Sequence, residues 1–477
     1  MGKKLDIGSI VADANYITEK ALLPLAMVKT EKDKARYQKK GYLPGYTYDE
    51  WEKAYSMIPA DKVYYLNGIN VGTIYYDKKK IVYISLGLYG TQIMYPGSHK
   101  SYEKRIVNAI KAQEETCRLK EYGRLFLTMP DGIKMDAMSH LLELEGPTPT
   151  FYEQFMMQYT TANFICKNLS RRVMNAVVAS KSPEQKAKTM EKLQPLLGDK
   201  DYITVYRGES DGSTNYKEAM SWTPNINVAH FFATRFGKKP VIHMGRVYKD
   251  DVLEYFPVTG DMGSEEEILV MPGKVKNVSS VPLFDIESPE INKILGEAIH
   301  YYHIWCDDIT NLFDDLNDSD CHDVMHTLRV TLLSCIIGVH EGLTELEQLS
   351  LCEAAMYHDA GRETNGCEKQ HGEKGAEVYR NEGGHDPYVD FAVRMHCVDD
   401  KLGEEQLLKE FNNEKEQAAA LRILNILKDA DALDRVRFGL ALEPGQDGLD
   451  VNYLRFDFSK RLTPLAMQCL RFLEKPE

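Results

Sequence analysis

The chain has 477 residues, and its 58 Lys and Arg against 72 Asp and Glu give a formal net charge of −14. This acidic balance excludes a broad basic surface for nucleic acid, although it leaves room for a local groove. The length predicts about three domains, and the longest apolar run, near residues 332–339, is far too short to span a membrane.

The nine cysteines are odd in number and form no Cys-x-x-Cys pair. This usage is typical of a reducing compartment. The first residues, Met-Gly-Lys-Lys-Leu, lack the apolar core of a signal peptide. We therefore expect a cytoplasmic protein, acting there or delivered to another cell's cytoplasm by a route that needs no leader.

The first predicted domain, residues 1–145, holds a small α+β region of unknown role. Tyrosine-rich strands are predicted over 63–76 and 81–86, with a tight-turn signal at Asn67-Gly68. A basic helix is predicted over 101–124. We expect this region to pack against the following domain and to help select its substrate.

The second predicted domain, residues 146–287, begins after the Pro-containing stretch from Gly146 to Pro149. Helices are predicted over 151–197, followed by an alternating strand that ends in Val-Tyr-Arg207-Gly208. Ser-Trp-Thr follows at 221–223, Phe-Phe at 231–232 and Glu-Glu-Glu at 265–267. In this order the segments resemble the Arg-Ser-Glu class of ADP-ribosyltransferases, which have a mixed α/β fold.

The resemblance implies NAD as substrate and assigns a set of NAD-binding positions: Arg207, Gly208, Ser221, Thr223, Phe231, Phe232 and Glu267. Arginine suits a diphosphate because its guanidinium makes paired, charge-assisted hydrogen bonds. Ser221 and Thr223 would brace the strand beside Glu267, and one of the two phenylalanines would pack on the nicotinamide while the other serves the core.

The catalytic positions implied by the same resemblance are Glu267, Glu265, Arg207 and Ser221. Loss of nicotinamide builds positive charge on the ribose, so a carboxylate at Glu267 would stabilise it. Because strand residues alternate between faces, Glu265 and Glu267 should share one face while Glu266 points away. Glu265 would then orient an acceptor guanidinium, and the expected acceptor is a protein arginine.

The third predicted domain, residues 288–477, follows a Ser- and Pro-containing boundary near 278–289. It contains six side chains able to bind metal: His326, His358, Asp359, His371, His396 and Asp431. Imidazole and carboxylate are the ligands of divalent metals where no thiolate is offered. Thr344 and Glu347 predict a capped helix that ends near Gly361, so the pair at 358–359 should lie at its C-terminus.

This order and spacing resemble the all-α HD-domain metallohydrolases over roughly residues 295–470. One-metal members use a His, the His-Asp pair and a distant Asp, and two-metal members add two histidines. The presence of His371 and His396 favours two divalent ions, Mn, Fe, Mg or similar. Asp431 aligns with the last ligand, but Asp429 stays open as an alternative, and Cys397 is expected to point away from the site.

The sequence thus predicts a bifunctional enzyme: an NAD-dependent mono-ADP-ribosyltransferase joined to a metal-dependent phosphohydrolase or phosphodiesterase. The pyrophosphate of a transferred ADP-ribose would be one substrate for the HD site, and a free nucleotide or other phosphoester is another. Two alternatives remain open. One is a nucleotide phosphohydrolase whose transferase fold only senses NAD or a nucleotide, and the other is a toxin that hydrolyses NAD.

Overall fold

The computed structural model describes residues 17–67, 72–86, 99–161, 169–257, 265–315, 323–362, 370–443 and 445–472. The chain forms two compact units, residues 1–191 and 192–477. The three-domain division at 145/146 and 287/288 stays a prediction. Within the described residues, no helix combines the length and the apolar character that crossing a membrane requires.

Unit 1 (residues 1–191) contains a four-stranded antiparallel sheet in the order β1-β2-β3-β4. Its strands are β1 Leu23–Pro24, β2 Val63–Leu66, β3 Gly72–Asp77 and β4 Val82–Ser85. The predicted tyrosine-rich strands are confirmed, with the segment 63–76 divided into β2 and β3. Tyrosines on both faces of the sheet are buried, as the adjacent Tyr75 and Tyr76 show. Gly68 of the predicted turn lies outside the described residues.

The helices of unit 1 carry the rest of its core. They are α1 Glu31–Gln38, α2 Tyr48–Ala54, α3 His99–Arg118, α4 Tyr122–Phe126, α5 Asp131–Glu145, α6 Pro149–Thr161, α7 Arg171–Ser180 and α8 Pro183–Leu197, the last of which runs on into unit 2. Thr30 and Thr47 start α1 and α2 with capping boxes. The predicted basic helix is confirmed, although it breaks at residues 119–121 between α3 and α4.

A partly buried acid, Glu19, connects the start of the described chain to the sheet and helices of this unit. Glu19 accepts hydrogen bonds from the Tyr76 hydroxyl at 2.6 Å and from Lys78 Nζ at 2.5 Å, and its carboxylate lies 2.8 Å from His140 Nε2. Burial raises the pKa of Glu19, but these hydrogen bonds outweigh it and lower the pKa to about 2.

Unit 2 (residues 192–477) begins with two three-stranded sheets, in the orders β10-β7-β5 and β6-β9-β8. The strands are β5 Tyr202–Glu209, β6 Ser221–Trp222, β7 Val241–Tyr248, β8 Val252–Phe256, β9 Glu267–Val270 and β10 Lys276–Pro282. A bridge between Tyr206 and Thr223 links β5 to the residue after β6. Helix α9 (Ile226–Arg235) packs on β5, and we call residues 192–287 the β-rich part.

The remainder of unit 2, residues 288–477, is the helical part. Its helices are α10 Pro289–Asp315, α11 Val324–His340, α12 Glu345–Tyr357, α13 His371–Asn381, α14 Pro387–Met395, α15 Asp400–Glu410, α16 Glu414–Asp434 and α17 Thr463–Phe472. Helices α11 and α16 are central, and Leu333, Ile336 and Ile426 are among their residues that have no exposed surface. The predicted all-α character of this region is confirmed.

The β-rich part and the helical part are joined by hydrogen bonds as well as by apolar packing. The backbone of Phe284 donates to Arg461 O at 2.7 Å and accepts from Leu465 N at 3.1 Å. On the other side, the buried Asn227 side chain donates to Ala441 O at 3.0 Å and accepts from Val451 N at 2.9 Å. These buried backbone groups would lose their partners if the two parts separated, so unit 2 behaves as one body.

Candidate metal centre

The six predicted metal ligands converge from five places in the helical part. His326 lies in the first turn of α11, His358-Asp359 follow α12, His371 begins α13, His396 follows α14 and Asp431 lies in the last turn of α16. Five of them are at most 7% exposed, whereas the side chain of Asp431 is 34% exposed. The six ligands thus lie at or near helix ends around a buried centre, which is partly exposed on the side of Asp431.

Local sequence explains why these helices start and stop where they do. Asp323 caps α11 by accepting from His326 N at 2.8 Å, and Thr344 and Glu347 form the predicted capping box of α12. Gly361 lets the chain leave α12 close to α13, because a Cβ there would lie 2.3 Å from Gly375 N. The predicted position of His358 at a helix C-terminus is confirmed.

The first ligand group consists of His326, His358 and Asp431. His326 Nε2 lies 3.2 Å from His358 Nε2 and 3.4 Å from Asp431 Oδ1. Ligand atoms about 2.1 Å from one ion, at angles of about 90–110°, lie roughly 3.0–3.4 Å apart. These separations therefore fit a single divalent ion held by all three side chains.

The second ligand group consists of His371 and His396. Their Nε2 atoms lie 2.8 Å apart. Asp359 lies between the two groups: its Oδ2 is 3.4 Å from His326 Nε2, and its Oδ1 is 3.3 Å from His371 Nε2 and 3.6 Å from His396 Nε2. Each carboxylate oxygen thus faces one histidine pair.

Outer partners fix the orientation of the imidazoles. His358 Nδ1 and His396 Nδ1 each lie 2.7 Å from a backbone carbonyl, at Ala355 and Val393. Only a protonated Nδ1 can donate to a carbonyl, so in neutral imidazole the lone pair is left on Nε2, which faces the centre. For His326 the acceptor is a carboxylate: Nδ1 lies 2.8 Å from Asp434 Oδ2, which likewise leaves Nε2 facing the centre.

Asp434 was not among the predicted site residues. It is 1% exposed and also accepts from Arg329 Nε at 2.6 Å and from Arg437 Nη1 at 2.9 Å. Its position, three residues after Asp431 and on the same face of α16, is the sequence signal that would have found it.

The electrostatics of the first group follow from burial and from its acids. Burial lowers the pKa of His326, but hydrogen bonds to Asp359 and Asp434 outweigh it and raise the pKa to about 9. For His358 burial dominates and lowers the pKa to about 4. A proton on His326 would therefore compete with a metal ion for Nε2, so that metal binding releases a proton.

This geometry agrees with a comparison against known protein families. Residues 324–436 match the HD domain family. The matched segment contains all six predicted ligands and identifies this part as an HD domain, a domain of metal-dependent phosphohydrolases. It covers about a quarter of the chain. Searches of curated proteins and of solved structures found no match, and no comparison shows an ADP-ribosyltransferase domain.

Two further predictions about the HD domain are decided by the geometry. Asp429 has its carboxylate occupied by the backbone N–H groups of Arg455 and Phe456 at 2.9–3.0 Å, whereas Asp431 faces the histidines. The prediction that Cys397 points elsewhere is wrong, because its sulfur lies within 4.8 Å of the ligand atoms of His371 and His396. Helix α14 ends at Met395, so helical spacing does not separate these neighbours.

The HD domain opens into a cavity of about 860 Å³. His396 and Asp431 line it on the metal side, together with the cationic side chains Lys428, Arg435 and Arg455. Lys428 and Arg455 are engaged by Asp400 at 2.8 and 2.6 Å. Among the described residues, Arg435 makes a 3.3 Å hydrogen bond to Gly448 O and a 3.8 Å ion pair with exposed Asp447, so it is the least engaged of these three cations.

The predicted transferase residues lie on neighbouring strands of the β-rich part. Arg207 on β5 donates to Ser221 O at 2.9 Å and to Thr214 O at 2.9 Å. Ser221 on β6 pairs with Leu269 on β9, the strand that Glu267 begins, and Thr223 is buried beside β5. Arginine, serine and glutamate are thus carried by adjoining strands, although the Arg207 guanidinium is occupied by backbone carbonyls.

Two of the remaining positions predicted to bind NAD have packing roles, and their binding of NAD stays a prediction. A Cβ at Gly208 would lie 1.9 Å from Ala229 O, so this glycine is required by the close approach of α9. Phe231 packs against the helical core, which makes it the core-facing member of the Phe231–Phe232 pair.

The predicted strand does not extend over all three glutamates. Strand β9 begins at Glu267, so Glu265 and Glu266 precede it, and the shared face of Glu265 and Glu267 stays a prediction. Glu266 has a left-handed backbone with φ of 43° and lines the cavity of the HD domain. Glu265 keeps an exposed surface, but partial desolvation of its carboxylate and the negative charge of Glu267 raise its pKa.

Proposed function

We propose that this protein is a metal-dependent phosphohydrolase whose HD domain binds two divalent ions. The observation that carries the dinuclear proposal is Asp359, whose two oxygens face the pairs His326–His358 and His371–His396 at 3.3–3.7 Å. Each pair and one carboxylate oxygen supply three ligand atoms for an ion, and Asp431 adds one to the first. Bound there, two divalent ions would supply Lewis acidity to a phosphoryl group and acidify an attacking water.

The chain's own residues prepare the site for that chemistry. Asp434 and the carbonyls of Ala355 and Val393 hold the imidazoles with Nε2 directed inward, so little reorganisation is needed when substrate arrives. Burial of the histidines leaves the Asp431 side as the approach to the centre. Arg435, one turn beyond Asp431 and on the cavity wall, is placed to bind a non-bridging phosphate oxygen.

Elemental analysis and hydrolysis of bis(p-nitrophenyl) phosphate test this proposal. Wild type loaded with Mn²⁺ should carry two ions per chain and hydrolyse the ester. His396→Ala should halve the bound metal while leaving the domain folded, and Asp359→Ala should remove most metal and all activity. His385→Ala, at an exposed histidine outside the cluster, is the matched control. One ion per wild-type chain would overturn the dinuclear proposal, and metal and activity that survive Asp359→Ala would overturn the whole.

A second candidate function is NAD-dependent ADP-ribosyl transfer by the β-rich part. It is favoured by the placement of Arg207, Ser221 and Glu267 on strands β5, β6 and β9, which adjoin through the Tyr206–Thr223 bridge and the Ser221–Leu269 pairing. One observation counts against this candidate: Arg207 would have to give up its hydrogen bonds to two backbone carbonyls in order to bind a diphosphate.

Incubation with labelled NAD, with and without arginine-containing protein, tests the transferase proposal. Label on protein supports transfer, free ADP-ribose supports an NAD glycohydrolase, and binding without turnover supports a sensor. If the HD domain processes the product, wild type should leave phosphoribosyl groups and release AMP, whereas His358→Ala should accumulate intact ADP-ribose. Identical adducts in both would mean that the two activities are independent.

A further inference from the structure

The cavity of the HD domain has one wall that lies outside the domain. Besides His396 and Asp431, it is lined by Tyr206, Asn225 and Glu266 of the β-rich part. At about 860 Å³ it lies within the range of roughly 300–1,000 Å³ that is typical of small-molecule sites. Any substrate that reaches the metal centre through this cavity therefore passes side chains that the HD domain does not provide.

Asn225 is fixed at the junction of the two parts. It is the N-cap of α9, and its Oδ1 accepts from Asn227 N at 2.9 Å. Its amide nitrogen donates to Leu442 O at 3.0 Å and to Glu266 Oε2 at 3.0 Å. Because the cap sets which end of the amide is oxygen, the nitrogen must face Glu266, and the carboxylate is held in one position.

Glu266 itself has an uncommon backbone for its residue type. Its φ of 43° lies in the left-handed region, where residues other than glycine and asparagine are rare, and it immediately precedes β9. Such outliers persist where surrounding structure holds them, and they concentrate at functional sites. Here the conformation accompanies a half-buried carboxylate that lines the cavity instead of following the alternation of the strand.

Asn227, two residues after Asn225, also makes hydrogen bonds to the helical part. The Asn227 side chain, which is 4% exposed, donates to Asp450 Oδ1 at 2.9 Å and to Ala441 O at 3.0 Å, and it accepts from Val451 N. Ala441, Asp450 and Val451 are thereby hydrogen-bonded to the start of α9. Both sides of the cavity are therefore fixed by hydrogen bonds that cross between the β-rich part and the helical part.

A carboxylate in this place selects the chemistry of the ligand. The carboxylate of Glu266 repels phosphate, so the phosphoryl group of a ligand belongs at the metal ions and Arg435. Glu266 would then accept hydrogen bonds from donors on another part of that ligand. Hydroxyl and amino groups of a nucleoside are such donors, and the rings of Tyr206 and Tyr453 add aromatic surface to the same lining.

We propose that Glu266, positioned by Asn225, binds the nucleoside part of a nucleotide whose phosphate is cleaved at the HD metal centre. This inference rests on the proposed phosphohydrolase function. It assigns substrate selection to a part of the chain outside the matched HD segment.

The test compares three p-nitrophenyl esters in the presence of Mn²⁺: bis(p-nitrophenyl) phosphate, which has no nucleoside, and the 5′-esters of uridine and 2′-deoxyuridine monophosphate. Wild type should prefer the uridine ester over the minimal ester in kcat/KM. Glu266→Gln should lower that preference by about tenfold or more, mainly through KM, because a charged hydrogen bond is lost. Asn225→Ser, which keeps an N-cap but no longer donates an amide hydrogen to Glu266, should lower it in the same direction.

Glu287→Gln, at an exposed glutamate of the β-rich part paired with Lys238, is the matched control. Loss of preference confined to the uridine ester assigns Glu266 to the ribose 2′-hydroxyl. Equal loss for both nucleoside esters assigns it to the rest of the nucleoside. An unchanged ratio in both variants, or equal loss on all three esters, would overturn the inference. A wild type that cleaves none of the esters would refute the phosphohydrolase function instead.

Discussion

Replacing Asp434 by asparagine tests whether the outer partner of His326 controls metal binding. The substitution keeps shape but removes the charge that faces Arg329, Arg437 and His326 Nδ1 at 2.6–2.9 Å. Breaking a buried charge pair costs about 3–5 kcal/mol. Loss of such an outer carboxylate typically weakens metal binding by about 10- to 100-fold. Asp434→Asn should therefore unfold at lower urea concentration and bind Mn²⁺ more weakly.

The pH dependence gives this prediction a sharper form. Burial raises the pKa of Asp434, but its hydrogen bonds to His326 and Arg329 outweigh this and hold it below the ordinary value. Asp434 thus contributes stability above the pKa of an unfolded aspartate, and that stability is lost as pH falls through the lower folded value. The difference in free energy of unfolding between wild type and Asp434→Asn should therefore shrink in acid.

Metal affinity is measured separately, by calorimetric Mn²⁺ titration at pH 7.5, with circular dichroism to verify the fold. An unchanged dissociation constant in a folded variant would refute the assigned role.

Three other substitutions probe separate features. Glu19→Gln should destabilise unit 1 by about 2 kcal/mol at neutral pH, after allowance for solvent screening. Since the pKa of Glu19 falls from 4.5 to about 2, the difference from wild type in urea unfolding should disappear between those values as pH is lowered. Gly361→Ala should destabilise unit 2 by roughly 2 kcal/mol or more, because its methyl would meet the Gly375 backbone at 2.3 Å; a thermal midpoint equal to wild type would contradict this. Glu267→Gln should abolish any NAD cleavage, whereas Glu265→Gln should retain NAD hydrolysis and lose transfer; equal effects of both in a nicotinamide-release assay would contradict the assigned roles.

His358 and Asp359 could be predicted from local signals, because the capping box at Thr344 marks the start of their helix and Gly361 marks its end. His371, His396 and Asp431 were predicted from the resemblance to HD-domain spacing. Cys397 shows the limit of this reasoning. Its separation from His396 was inferred from helical spacing, which does not apply once the helix has ended.

The wall of the cavity could not have been predicted in the same way. Glu266 was assigned to a strand by its apolar neighbours, but it has a left-handed backbone, and its side chain accepts a hydrogen bond from Asn225, forty-one residues earlier in the chain. Asn227 likewise joins segments more than two hundred residues apart. Such contacts follow from tertiary packing, and no periodicity in the sequence reports them.

The central claim, two ions on either side of Asp359, is tested most directly by anomalous scattering from crystals grown with Mn²⁺. The account predicts two peaks roughly 3.5–4 Å apart. One should lie by His326, His358 and Asp431, and the other by His371 and His396, with Asp359 between them. A single peak, or peaks away from Asp359, would contradict it.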